Sequence, residues 1–433
     1  MNNMDRRDFT KSLGVKAGAL SALAAAPAGF LASPLMKNAG RVEDKTAEAK
    51  PADPGLYSLC KAILKQCQLK EGERFLVVTS YIYDQPYVNA LLEAGSKLGA
   101  ATSHMAVYPK FDGEKMVSGA TRTHAEIFSE ADLLIDCGMG RPPRVASPGV
   151  GSGKHLDHEF RSDRQYLMSP SSKTRWLSLG GGMSGTVELQ RFLFPTYEIR
   201  EISLRGAEIF HNGKEMHVTC PHGTDIKFNI EGRVGHCQYG IADVAGRWDN
   251  FATATVACAP VKESAEGVIV YVGGDDISDV IPTVLPVDEG VTLTYGGSGS
   301  TAGQATKIDG GRLAREFEAY LGQTNHPDIT RMAHVGYGTD PRIHKLRYNI
   351  MKRHLTDGDF HTLQHNMWGG VMIAMGKNIQ YHGGPYNNYS GLGLTADNNA
   401  PFHPHTGLTQ GASLSIDGVL LCDEGELTAA ATG

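Results

Sequence analysis

No Cys-x-x-Cys pair occurs in this chain of 433 residues, and its 7 cysteines are widely scattered and odd in number. That spacing suggests neither a zinc ribbon nor a complete disulfide framework, and leaves buried thiols as the ordinary role. No His-Glu-x-x-His motif is present, so a zincin-type helix is absent. The net charge is -6 with no long basic run, which argues against a nucleic-acid partner. No segment repeats at a fixed period, so a solenoid is not indicated. Two glycine-rich stretches also fall short of catalytic loops. Gly149-Val150-Gly151-Ser152-Gly153-Lys154-His155 has Pro148 where a phosphate loop needs Gly, and His155 where it needs Ser or Thr. In Leu179-Gly180-Gly181-Gly182-Met183-Ser184-Gly185 the second Gly comes one residue too early for a nucleophile elbow.

What the chain does have is histidine: 17 in all, nine of them between His326 and His405. The apolar and charged fractions, 41% and 20%, are those of a globular protein. A length of 433 residues predicts two domains. Residues 1–32 read as a twin-arginine signal peptide. Asp5-Arg6-Arg7-Asp8-Phe9-Thr10-Lys11 precedes a weakly apolar, Ala-rich run with small-residue cleavage sites, too broken for a membrane span. This predicts a periplasmic protein handled by the twin-arginine export machinery, which carries chains already folded.

Residues 33–54 read as a linker, 55–197 as an α/β domain and 198–433 as a β-rich metal-binding domain of α+β type. In the first domain, helical spacing over Leu56–Leu69 and Tyr87–Leu98 alternates with short apolar runs at Arg74–Thr79, Thr102–Tyr108 and Asp132–Asp136. A helix is predicted at Thr123–Ala131, and residues 175–180 and 187–194 extend the pattern. That alternation predicts a parallel sheet. From about Glu198 the texture changes to short strands split by Gly and Asn turns. These are Ala207–Phe210, Glu215–Thr219, Thr224–Ile230, Gly267–Val272 and Val291–Tyr295, with one helix at Arg312–Leu321. Mostly antiparallel pairing is predicted there. A homo-oligomer is expected.

Three segments carry candidate chemistry. Pro401-Phe402-His403-Pro404-His405-Thr406-Gly407 places two histidines two residues apart, on one side of an extended backbone, as a shared transition metal requires. Ala412–Gly418 then alternates and ends in Asp-Gly, a strand running into a turn. Arg331–Pro341 holds His334 in what reads as a tight glycine-bracketed turn. Asn366–Gly376 is an apolar run between glycines, read as a buried strand.

In this order, and with Gln68–Val77 and Cys220–Phe228, these segments resemble one superfamily. It joins the M29 aminopeptidases of the aminopeptidase T type to the 2,5-dihydroxypyridine 5,6-dioxygenases. The peptidase branch implies a two-metal site, here zinc or cobalt, with a Glu where His334 stands and a His where Met372 stands. A thioether is a poor ligand for hard divalent metals. The dioxygenase branch implies one Fe(II) held by a His at the glycine segment and a C-terminal His-x-Asp. The C-terminal part departs from that pattern. Either His403 matches the family His and His405 replaces the Asp, or His405 matches and Gly407 stands in the carboxylate position, with Asp397 as a substitute donor. The first alignment is favoured, giving His334, His403 and His405. The resemblance implies a ring-cleaving, extradiol-type dioxygenase taking a hydroxylated (N-hetero)aromatic and O2, with an M29-like metallopeptidase or a non-catalytic periplasmic metal- or ligand-binding protein as alternatives. His382, His365 and Tyr337 are candidate bases by their closeness in sequence to the motifs.

Overall fold

The computed structural model describes residues 54–79, 83–107, 110–112, 115–117, 127–128, 130–137, 173–179, 187–277, 289–322, 326–351, 363–376 and 405–433. Residues Ala52–Gly433 form one compact unit. The predicted helix at Thr123–Ala131 and both rejected glycine loops lie largely outside the described residues, and the leader and linker lie almost wholly outside them.

The first half alternates as its apolar spacing requires. α1 (Pro54–Gln66) leads to β1 (Arg74–Thr79), α2 (Gln85–Lys97) and β2 (Ala101–Ala106). Asp84 caps α2 by accepting from the Tyr87 amide, Pro86 sits in its first turn, and Gly99 at φ +84° follows its end. The hairpin β3 (Lys110–Asp112) and β4 (Lys115–Val117) follows, then β5 (Leu133–Cys137), β6 (Arg175–Ser178) and the short α3 (Val187–Phe192). β1 pairs in parallel with β2 and with β5, and β5 with β6. One face of this sheet packs on α1 and α2. The other carries a smaller core around Leu76, Val78, Phe128, Leu134, Trp176 and Trp248.

α4 (Tyr197–Asn212) covers the predicted strand Ala207–Phe210, which is therefore helical. A four-residue apolar run does not distinguish the two states. The wider spacing decides it: Ile199, Ile202, Ser203, Gly206, Ala207 and Phe210 line one buried face, and Thr196 caps the helix. Then come β7 (Glu215–Thr219), β8 (Asp225–Asn229), β9 (His236–Gln238), β10 (Trp248–Asn250), β11 (Thr255–Cys258), β12 (Glu266–Tyr271), β13 (Val291–Gly296), β14 (Gln304–Gly310), α5 (Arg312–Gly322) and β15 (Met332–Gly338). The chain ends with α6 (Lys345–Met351), β16 (Val371–Met375), β17 (His405–Leu408), β18 (Ser413–Ile416), β19 (Val419–Asp423), β20 (Glu426–Leu427) and α7 (Ala429–Thr432). β18 and β19 meet at Asp417-Gly418, both at positive φ, the turn that their Asp-Gly predicts.

Two antiparallel sheets result, one ordered β17-β16-β15-β11-β9 and one β14-β13-β12-β8-β7-β18-β19-β20. The parallel sheet is ordered β10-β6-β5-β1-β2. Its edge strand β10 comes from beyond residue 198, so hydrogen bonding crosses the expected domain boundary. No helix among the described residues is long and apolar enough to cross a membrane.

Candidate functional site

His334 lies in a strand, not in the predicted turn. The flanking glycines serve close packing instead. A Cβ on Gly336 would fall 1.9 Å from the Val256 carbonyl oxygen, and one on Gly338 would fall 2.2 Å from that of Met367. β15 is regular from His334 to Tyr337, so His334 and Gly336 take one face of the sheet and Val335 and Tyr337 the other. The Tyr337 face packs on α4. Its hydroxyl lies 2.5 Å from where a Gly206 Cβ would be, and its ring centroid is 5.7 Å from that of Phe210. Burial pushes the Tyr337 phenol well above its ordinary value. Tyr337 is thus a core side chain and is not brought to His334.

The His334 face is organised in rows fixed by register. His334 pairs with Ala374, and Ala374 with His405. The next row runs His236, Ala257, Gly336, Met372, Gly407 and Asp276. A third joins Gln238, Thr255 and Gly338. At ordinary strand spacing the backbones of His334 and His405 are about 10 Å apart, and only the methyl of Ala374 stands at the position between them. His403 and His382 lie outside the described residues, as does Asp397, and of His405 only the backbone is described. Among the described side chains no group of three or more His, Cys, Asp or Glu is gathered closely enough to hold a metal. The donor types in the His334 row fit a transition-metal ion, since imidazole suits iron, zinc and copper alike.

Met372 stands in the middle row with its sulfur 3.6 Å from the Thr255 hydroxyl. Residues 363–368 cover this face. Gln364 Nε2 lies 2.6 Å from where a Gly407 Cβ would be, and the Asn366 side chain accepts from the Ala254 amide at 2.9 Å. His365 is buried on the same segment. Asp276 exchanges both backbone hydrogen bonds with Gly407, and the Tyr348 hydroxyl of α6 donates to its carboxylate. Asp276, Tyr348 and Gln364 were not anticipated. The Asp275-Asp276 pair after an apolar strand was a usable signal, whereas Tyr348 and Gln364 had none. Asp276 is three strands and one row from His334, about 16 Å along the sheet. That is too far for both to share one ion through bonds of about 2 Å.

The far end of the face meets the carboxyl edge of the parallel sheet, where open α/β sheets bind their ligands. Asp136, Ser178 and Asn250 form a buried row along that edge. From Asn250 the chain passes through Phe251–Ala254 directly into β11. At this junction Gln238 Nε2 and Thr253 Oγ1 are buried and have no hydrogen-bond partner among the described residues. Beside it Arg247 is fully buried, 2.6 Å from Asp249 and stacked over the Tyr239 ring at 3.6 Å. Burial, reinforced by Arg247, pushes the His236 imidazole down to about 3.

Fold and face together define a mixed α/β protein whose antiparallel sheet carries histidines beside the carboxyl edge of a parallel sheet. The family model described as NicX: 2,5-dihydroxypyridine 5,6-dioxygenase matches residues 183–429. More than half of the chain is matched, and the chain belongs to that family. The 2,5-dihydroxypyridine 5,6-dioxygenase of Pseudomonas putida is 23% identical over 334 residues, which is 76% of this chain and 87% of that protein. The solved structure of the Pseudomonas putida dioxygenase superposes with a TM-score of 0.68 at 22% identity, covering 86% of this chain and 97% of that one. Wild-type AmpT from Thermus thermophilus superposes with a TM-score of 0.56 at 16% identity, covering 87% and 99%. Both branches of the superfamily that the sequence resembles are thus among its structural relatives.

Proposed function

We propose that this chain is a mononuclear Fe(II) dioxygenase that opens the ring of a hydroxylated N-heteroaromatic. Family membership supports the dioxygenase class. The observation that carries the metal assignment is the row His334, Ala374, His405, which sets two imidazole-bearing residues across a single methyl. His334 and His405 hold the ion, with His403 as the third ligand in the three-imidazole version. Bound ferrous iron supplies the means for O2 and an electron-rich ring to exchange electrons. The remaining tasks belong to the chain itself. The 363–368 segment keeps water from the sheet face. His365 on that segment takes the ring hydroxyl proton, a role that suits imidazole near neutral pH. Three neutral imidazoles leave the metal with its full positive charge, which favours an ionised ring hydroxyl over a neutral one.

Replacing His334 or His405 with Ala should lower iron affinity by at least about 10–100-fold. Full iron content in the His334 variant sinks the assignment. His403→Ala separates the two ligand sets: iron is lost if three imidazoles hold it, and kept if the third donor comes from elsewhere. The aminopeptidase reading is disfavoured by Met372, a thioether at the position where that branch places a second histidine.

A further inference from the structure

We infer that Tyr271 and Thr406 are positioning residues that fix which face of the sheet carries His405, an inference that rests on the iron assignment proposed above. β17 is four residues long and stands at the edge of its sheet. Its sequence, His405-Thr406-Gly407-Leu408, offers one apolar side chain to set its pairing. Where apolar alternation is this thin, register is weakly specified, and a slip of one residue moves every side chain to the other face. Backbone bonds alone do not prevent the slip, because every residue but proline offers the same amide and carbonyl. A side chain that finds its partners at one place only can prevent it.

Thr406 is such a side chain. It pairs with Ile373, while His405 pairs with Ala374 and Gly407 with Met372. Alternation therefore puts Thr406 and Ile373 on one face, and positions 405 and 407 on the face of His334. The Thr406 face lies against the eight-stranded sheet. There the Tyr295 hydroxyl of β13 is 3.3 Å from the Met375 sulfur, and the Tyr271 hydroxyl of β12 is 2.6 Å from Thr406 Oγ1. Thr406 Oγ1 donates to the Ile373 carbonyl at 2.8 Å. A hydroxyl has one hydrogen to give, so Tyr271 is the donor in their pair. Both side chains are fully buried. After a one-residue slip, His405 or Gly407 would stand where Thr406 does. Glycine leaves the buried Tyr271 hydroxyl without an acceptor, and an imidazole does not fit the space of a threonine between two packed sheets. The turn after β12 holds the same strand along its edge. Asp276 exchanges backbone bonds with Gly407, and the Asp275 carboxylate accepts from the amides of Thr409 and Gln410 at 2.7 and 3.1 Å. That turn fastens the strand, and the Tyr271–Thr406 pair selects its face.

The test is anaerobic titration of full-length protein with Fe(II) against a competing chelator, joined to the electron paramagnetic resonance spectrum of the iron-loaded protein with nitric oxide. The variants are Thr406→Val, Thr406→Ser, Tyr271→Phe, the Tyr271→Phe/Thr406→Val double and His405→Ala. Thr406→Val keeps the shape and removes the hydroxyl. It should weaken Fe(II) binding about tenfold or more, as loss of a ligand's support commonly does, and alter the spectrum. Tyr271→Phe should shift both readouts in the same direction. The double variant should be no weaker than Thr406→Val alone, because the two residues act through one bond. Thr406→Ser, which keeps the hydroxyl, should restore wild-type affinity and spectrum. A purely structural role moves Tm and leaves both metal readouts where they were; that result overturns the inference. If Thr406→Val does not fold, Tyr271→Phe decides on the same terms. His405→Ala separates the two claims. Iron lost in His405→Ala but held at wild-type affinity, with an unchanged spectrum, in Thr406→Val and Tyr271→Phe overturns the positioning role and leaves the metal assignment standing. Iron held at wild-type affinity in His405→Ala overturns that assignment and the inference with it.

Discussion

His236 shows at the residue scale what burial does to a titratable group. It is fully buried on β9, and that burial, with Arg247 nearby, holds its imidazole down to about 3. In the unfolded chain an imidazole titrates near 6.5. Its folded value is depressed, so the native state binds fewer protons than the unfolded state between those limits. The stability that this provides is complete above about 6.5 and is lost as pH falls toward 3, at up to about 1.4 kcal/mol per pH unit. His236→Gln should therefore flatten the acid limb of stability. Urea unfolding at pH 4.5, 5.5 and 7 reads this, and parallel stability curves for variant and wild type would contradict it. Tyr337 makes a second point at this scale. It lies three residues from His334 in sequence, yet an odd separation along a strand puts it on the opposite face. Closeness in sequence therefore misled where strand parity would not have.

At the scale of elements, Arg247 and Asp249 join two sheets. Arg247 donates to the carbonyl of Ile241, and Asp249 accepts from the amides of Tyr239 and Asn250. β9 and β10 are thus tied at the point where the chain crosses from one sheet to the other. Burial pushes the Asp249 carboxyl up to about 6, against the pull of Arg247. Arg247→Met leaves that carboxylate without its cation and should cost about 3–5 kcal/mol, while Arg247→Met with Asp249→Leu should recover most of the loss. Denaturation midpoints decide it; a single variant as stable as wild type would refute the role. The parallel strands were legible because each is a short apolar run bounded by turn residues, and β1 and β2 pair as expected. Ala207–Phe210 was not, because four apolar residues suit a strand and a helix equally. His334 was misplaced because glycines that admit a neighbouring backbone look, in sequence, like glycines that make a turn.

For the whole molecule, the family resemblance carried by the C-terminal half was readable in the sequence, and it holds. The joining of that region to the carboxyl edge of the parallel sheet was not readable. It depends on β10, three residues whose partner strand lies about seventy positions earlier. Export remains a proposal drawn from Arg6-Arg7, which lie outside the described residues. Replacing both with Lys should leave full-length precursor in the cytoplasm, and normal periplasmic accumulation of that variant would rule the route out.

The most direct test of the central claim is the metal content and oxygen stoichiometry of anaerobically purified, full-length protein given 2,5-dihydroxypyridine. One iron per chain and one O2 taken up per ring consumed are expected. Two zinc or cobalt ions per chain, or iron-loaded protein that takes up no O2 with this substrate, would contradict it.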